Sequence, residues 1–513
     1  MERNDNITES RMQGMIGERI VTTELGGEFT LPDYQPEMKR LLRVRVAVHP
    51  ADKYIGAGSA EISGTADWSV LYAGEDGAVW CTNQTGDYRF SVPVELPRDF
   101  EIGDGLLCDV ESTTEQVSGR VTAPRKLAVK CRLRSRVRLY GTRTLNGGAE
   151  IPETVGTPER LCGELEAARI LTGTGDPLAL ADEILCDAQE APVRVICAEG
   201  QVLVTEATCG SGVANCRGEV LLKLLCAHEG AEEPPYAILR RMPFSQEVPL
   251  DGAEVNFACC ASGACPEIRV TVEDGRILCE VSLLLSVRAQ RNEVVPYVRD
   301  LFVTGAECEP TFAAVNYSRA IRCQNGNFSL GVTLPLAEAG MRPGQSVIDT
   351  SGTATVDGVE QDRGKCFVTG KCRFQMILSE NGDLSAHELE VPFRYETDGM
   401  DDAPTDSDLR ADLLSVRVRA DHERVAVDAE LAVSAAFRSA HSANVLSDVR
   451  FGAEIPPQGA ACTICFPAHD DTLWSVARRY HAPLAALSAK NRLPAASAAD
   501  SPDSLSGVKF LVV

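Results

Sequence analysis

The chain has 513 residues, enough for three or four folded units at roughly 150 residues each. Hydrophobic residues make up 44% and charged residues 24%, the balance of a soluble globular protein, and no apolar run approaches the ~20 residues of a membrane helix. Its 50 basic and 74 acidic residues leave a formal charge of -24, which repels a phosphate backbone and anionic lipid alike, so neither nucleic acid nor membrane insertion is expected.

The first residues, "MERNDNITESRMQG", carry both charge signs and no apolar stretch, unlike a secretory signal, and predict an intracellular protein. Its 19 cysteines are an odd number spread along the chain rather than a dense framework, so most are expected to be reduced. Cys209 with Cys216, and Cys259, Cys260 and Cys265, read as small buried apolar side chains. Cys462 and Cys465 form a C-x-x-C, but in the strand-like "CTIC" they point to opposite faces and chelate poorly. No metal or cofactor is expected.

Comparing the chain with itself reveals an internal repeat. The runs "RKLAVKCRL", "GRILCEVSL" and "ERVAVDAEL" each alternate behind a basic anchor, Lys126, Arg276 or Arg424. Apolar residues follow with period two: Leu127, Val129, Cys131 and Leu133; Ile277, Cys279, Val281 and Leu283; Val425, Val427, Ala429 and Leu431. One apolar face at that period predicts a half-buried strand. Another alternating run precedes each, "QVSGRVT", "PEIRVTV" and "LSVRVRA", separated by a short polar link, which predicts a hairpin.

Two more landmarks recur upstream. Gly64, Gly218 and Gly370 open strand-like runs, and Phe90, Phe244 and Phe393 follow them. Successive copies are separated by 154 and 152 residues for the glycine, 154 and 149 for the phenylalanine, and 150 and 148 for the basic anchor. One period from three landmarks predicts a mainly β protein of three repeated all-β modules, residues 1–146, 147–296 and 297–456, followed by a small unit at 457–513. The acidic run "ETDGMDDAPTDSD" at 396–408 reads as a solvated loop.

The last unit has a different pattern. In "DDTLWSVARRYHAPLAALSAKN", Asp471 is placed to cap a helix, with Leu473, Trp474, Ala477 and Tyr480 on one face and Arg478 and Arg479 at its C-terminal end. Pro483 suits the first position of a second helix whose core face is Leu484 and Leu487. The flanking "CTICF" and "VKFLVV" complete a βααβ unit, whose core is small enough to be marginal without outside support.

Catalytic motifs are not evident: the sequence has no H-E-x-x-H, G-x-S-x-G or dinucleotide fingerprint. The nearest approach to a phosphate loop, "GVEQDRGKC", ends in Cys366 where a magnesium-binding hydroxyl is needed. The protein is not expected to be an enzyme.

Two family resemblances arise from these residues. The segment "FTLPDYQPEMKRLLRV", with Leu31, Pro32, Asp33 and Pro36 before Leu41, Leu42 and Val44, resembles the start of the SPOCS domain of clostridial spore-coat proteins and is expected to pack within the first module. The "DTLW" start at Asp471, Thr472, Leu473 and Trp474, with Ala477, Tyr480, Leu484, Leu487 and Asn491 after it, resembles the LysM domain. That resemblance implies binding to N-acetylglucosamine polymers such as peptidoglycan, in a groove formed by Asp470, Asp471, Thr472 and Leu473 on one side and Leu505, Ser506 and Gly507 on the other. The sequence departs from the family pattern at Asp470, where glycine is usual, and at Ser506, Gly507 and Val508, where P-G-Q is usual.

SPOCS modules followed by LysM are similar to the SipL type of spore morphogenetic protein. This implies a non-enzymatic scaffold in the mother-cell cytoplasm at the forespore surface or spore coat, tethering coat proteins through its LysM domain to a SpoIVA-type ATPase. The alternative is a peptidoglycan-binding protein of the cell wall or spore cortex. Without either resemblance, the helical hairpin is simply a small apolar core.

Overall fold

The computed structural model describes residues 10–49, 52–56, 58–97, 100, 106–145, 156–186, 194–228, 233–273, 275–400, 402–456, 463–493, 500–501 and 505–513. The protein is mainly β, built from antiparallel sheets, with two short helices near the C-terminus.

One strand order recurs in three successive stretches of chain. In the first, β1 (Ser10–Thr30), β2 (Met38–Val48), β3 (Asp52–Ile55), β4 (Ser59–Gly74), β5 (Val79–Pro93), β6 (Leu107–Ala123) and β7 (Lys126–Leu145) form two sheets. One has the order β1-β7-β6; in the other, β4 pairs with β2 and β3 along one edge and with β5 along the other.

The second stretch contains β8 (Pro158–Thr174), β9 (Leu178–Leu185), β10 (Arg194–Cys209), β11 (Val213–Ala227), β12 (Tyr236–Pro249), β13 (Ala258–Glu273) and β14 (Arg276–Val303). Here β8 and β9 lie in turn along β14, which pairs with β13 on its other side, and the second sheet is β10-β11-β12. In the third, β15 (Ala306–Pro335), β16 (Ser346–Asp362), β17 (Lys365–Glu380), β18 (Asp383–Glu396), β19 (Asp406–Ala420) and β20 (Arg424–Glu454) form β15-β20-β19 and β16-β17-β18.

The alternating runs lie in the central strands β7, β14 and β20, and the apolar positions named from period two are all buried. In the second and third stretches, each core cluster joins residues from both sheets, as in a sandwich. All three expected hairpins form, with β6, β13 and β19 folding back on β7, β14 and β20. Leu31, Met38 and Val44 enter the first core. The "GVEQDRGKC" run lies in the hairpin between β16 and β17.

In the ladders Gly64 faces Tyr88, two residues before Phe90, while Gly218 and Gly370 face Phe244 and Phe393. In each case the ring lies across the glycine, as an aromatic covering a bare strand position does. The break expected near residue 296 falls inside β14, which runs to Val303. Pro296 is tolerated there because it pairs only with β8, beyond the last residue that β13 reaches at Gln290. The acidic run 396–408 is not wholly a solvated loop: Asp406 and Asp408 begin β19, and Asp408 is only 4% exposed.

Those aspartates lie where the three units meet. Arg138 of β7, Arg288 of β14 and Arg438 of β20 all pair with Asp408, Arg288 at 2.9 Å and Arg438 at 2.7 Å. Arg288 also pairs with Asp109 of the first unit. A second ionic centre joins the other sheets: Arg43 of β2 reaches Glu199 of β10 at 3.1 Å and Asp349 of β16 at 2.6 Å, and Lys223 of β11 also pairs with Asp349. Around it packs an apolar cluster containing Leu42 and Leu71, Ile196 and Leu225, and Ile377, one set from each unit. A further cluster joins Met12 and Leu145 to Leu165 and Val295 and to Val315 and Val445.

Burial raises the affinity of Asp109, Glu199, Asp349 and Asp406 for protons, but the facing arginines, with Lys223 at Glu199 and Asp349, outweigh it and hold all four below their usual values. With folded values below unfolded ones, their stabilisation is complete above the unfolded carboxylate range of about 4 and is lost as pH falls through the folded values. Denaturation midpoints should therefore be nearly flat from about pH 7 to 5 and fall steeply below about pH 4; a flat acid limb would contradict the ionic centres. A local test concerns Gly370, where an added Cβ would lie 2.2 Å from the Thr355 carbonyl oxygen and 2.5 Å from the Phe393 ring. Gly370→Ala should cost about 1–3 kcal/mol in urea unfolding.

Candidate functional site

The C-terminal unit is the candidate site. Its elements run β21 (Ile464–Cys465), α1 (Leu473–Arg479), α2 (Leu484–Asn491) and β22 (Leu511–Val512), with the two strands paired antiparallel. Thr472, rather than Asp471, caps α1. Its backbone is extended, its hydroxyl accepts from the Ser475 N–H at 3.1 Å, and the Ser475 hydroxyl accepts from the Thr472 N–H at 3.0 Å.

Asp471 instead closes the turn before the helix. It accepts from the Ala468 N–H at 2.9 Å and from the Ser475 hydroxyl at 3.2 Å, and it is clamped by both terminal nitrogens of Arg479. The Arg479 guanidinium and the Ala468 N–H hold its carboxyl below the usual range. Pro483 lies one position earlier than expected, as the N-cap of α2, and offers no side-chain hydrogen bond.

Leu473, Trp474, Ala477, Leu484 and Leu487 form the buried core, with Tyr480 packed partly buried against it. Asn491 ties the second helix to the last strand: its amide donates to the Leu487 and Val512 carbonyls at 2.8 Å each, and its oxygen accepts from the Val512 N–H at 2.7 Å. Cys465 points into this core, while Cys462 lies outside the described residues. Among the described residues no group of three histidine, cysteine or acidic side chains could hold a metal ion, and no helix is long and apolar enough to cross a membrane.

The core extends beyond the unit itself. Phe302 at the end of β14 is part of it, meeting the Trp474 ring edge-on at 5.1 Å. The Trp474 N–H donates to Asp300 at 2.8 Å, and Arg478 pairs with the same carboxylate at 2.6 Å. His481 contacts the Val303 carbonyl at 2.9 Å, and Glu159 of β8 accepts from the Leu484 N–H at 3.2 Å, supplying the cap that α2 lacks. The outside support that a small core requires therefore comes from the second unit.

The seven residues of the expected groove divide into two groups. Leu473 and Leu505 turn inward, 2% and 7% exposed, because the unit needs them as core. The Asp471 carboxylate is occupied by Arg479. Asp470, Ser506 and Gly507 are exposed, and Thr472 is half-buried. Sequence reading missed the other exposed feature. Cys465 and Leu511 pair and point inward, so alternation turns their neighbours outward: Ile464, Phe466 and Phe510 are 55%, 75% and 53% exposed. The period of "CTICF" and "VKFLVV" carries that signal.

Comparison with protein-family models, curated proteins and solved structures gives no match.

Trp474→Ala should release the unit from β14 and unfold it, losing roughly 3–5 kcal/mol. Phe302→Ala, outside the unit, should have the same effect. Amide exchange at 463–493 should accelerate in both variants while the sandwich strands keep their protection. Unchanged exchange in Phe302→Ala would show that the unit stands alone.

Proposed function

We propose that the protein is a non-enzymatic scaffold in spore coat assembly. In this reading its three SPOCS-like β modules form the body, and its LysM-like C-terminal unit tethers coat proteins to a SpoIVA-type ATPase at the forespore surface, in the mother-cell cytoplasm. Support comes from the DTLW-type start with its buried followers, the clamp at Asn491, the β-α-α-β order, and the threefold recurrence of one strand order.

The exposed apolar face of Ile464, Phe466 and Phe510 carries the choice of a protein partner over a glycan. Aromatic anchors on an exposed patch suit a protein interface. Three of the seven groove residues are engaged within the unit, Asp471 by Arg479 and the two leucines by the core.

Calorimetry on the full chain tests this, since the C-terminal unit leans on β14. A SpoIVA-type ATPase should bind, and Phe466→Asp with Phe510→Asp should weaken it roughly tenfold or more. Binding of N-acetylglucosamine oligomers alone would replace this reading with the peptidoglycan-binding one.

A further inference from the structure

Two pairs of cysteines from different units come together across the three-way interface. Cys81 of β5 and Cys197 of β10 both pack against the apolar cluster around Leu42, between the first and second units. Between the second and third, the Cys323 sulfur of β15 lies 3.8 Å from the carbonyl oxygen of Arg288, the residue opposite Cys260 of β13 in the ladder. Each pair has a half-buried member through which a small oxidant gains access: both thiols in the first, Cys323 in the second.

We infer that these two pairs are modification sites, at which a peroxide forms disulfides that join the first unit to the second and the second to the third. The chemistry needs one thiolate and one neighbouring thiol. The thiolate attacks a peroxide oxygen, an S–O bond forms as the O–O bond breaks, and the hydroxide released takes up the proton the thiol gave on ionising, leaving a sulfenic acid and water. The second thiol then attacks the sulfenic sulfur, so that an S–S bond forms, the S–O bond breaks and a second water leaves. Two electrons pass from the sulfurs to the peroxide.

The surroundings favour that first step. The hydrogen bond from Cys197, then that from Ser69 at 3.3 Å and the charge of Arg43, lower the Cys81 thiol. At Cys260 the hydrogen bond from Cys323, with Ser434, Arg288 and Arg438, does the same. The arginines that join the units therefore also promote thiolate formation at the joints. A third pair, Cys209 and Cys259, lies inside the core of the second unit, and both members are buried. It serves as an internal comparison.

The test is limited hydrogen peroxide treatment of the native full chain, followed by alkylation and non-reducing peptide mapping of the monomeric fraction. Cys81–Cys197 and Cys260–Cys323 linked peptides should appear, ahead of Cys209–Cys259, and dithiothreitol should abolish them. The oxidised chain should also unfold at a higher denaturant concentration than the reduced one. In Cys197→Ser and Cys323→Ser, the remaining partners should collect single-thiol adducts without the linked peptides. The inference is overturned if the four thiols stay alkylatable after the peroxide is consumed, if they join other cysteines or other chains, or if the Cys209–Cys259 pair oxidises first.

Discussion

One carboxylate holds the three units in register. Asp408 is almost fully buried and faces guanidinium groups from all three, Arg138, Arg288 and Arg438. Burying an arginine costs several kcal/mol unless its charge is met, and for Arg288 both carboxylates, Asp109 and Asp408, come from other units. Removing Asp408 would leave three buried cations to share Asp109, Asp406 and Glu18, whereas removing an apolar residue at the same interface would leave only a cavity. The apolar clusters around Leu42 and Met12 supply area without direction, and the ionic centres specify which surface faces which. The units are therefore parts of one assembly rather than beads on a chain.

Carrying three like units in a single polypeptide makes this arrangement possible. Opposite Leu71, Leu225 and Ile377, at equivalent points in β4, β11 and β17, stand Arg43, Cys197 and Asp349. A bulge precedes each of the three, and the residues skipped in pairing, Leu42, Ile196 and Ile348, pack into one shared cluster. Backbone geometry is thus kept while chemistry diverges. Three identical chains around such a point would bring like charges together, at a cost of several kcal/mol in a buried setting. One chain can instead set a cation, a thiol and an anion at corresponding positions. At the other centre the arginine is kept and its partner varies, with Arg138, Arg288 and Arg438 facing Asp109, Cys260 and Asp406.

Local period made the strands legible, and it placed Leu127, Ile277 and Val425 and their followers in the core without error. A period of two records which face a residue occupies, but not which strand it meets. The spacing from Gly64 to Phe90 therefore does not reveal that Tyr88 is the residue opposite the glycine in the ladder. Asp408 was unreadable for a related reason. Its sequence neighbours are acidic and solvent-like, and the arginines that draw it inward lie in distant segments. In the C-terminal unit the helix-start chemistry was visible, yet Thr472 and Asp471 both fit a cap, and only the geometry of Ser475 and Arg479 separates them. The engagement of Trp474 with Asp300 left no local trace.

That engagement ties the candidate site to the assembly. Phe302 ends β14 and Cys308 lies near the start of β15, so the C-terminal core rests on the joint between the second and third units. The same joint is packed by Val298 and Leu301 against Leu446. A unit of about fifty residues has little stability of its own to lose. Any separation of the second and third units would withdraw Phe302 and Asp300 from correct placement and weaken the helices that hold β21 and β22 together. Those strands present Ile464, Phe466 and Phe510, so the exposed apolar face is coherent only while the units are joined. Whatever docks there is thermodynamically linked to the ionic centres, although no residue of either centre needs to touch it.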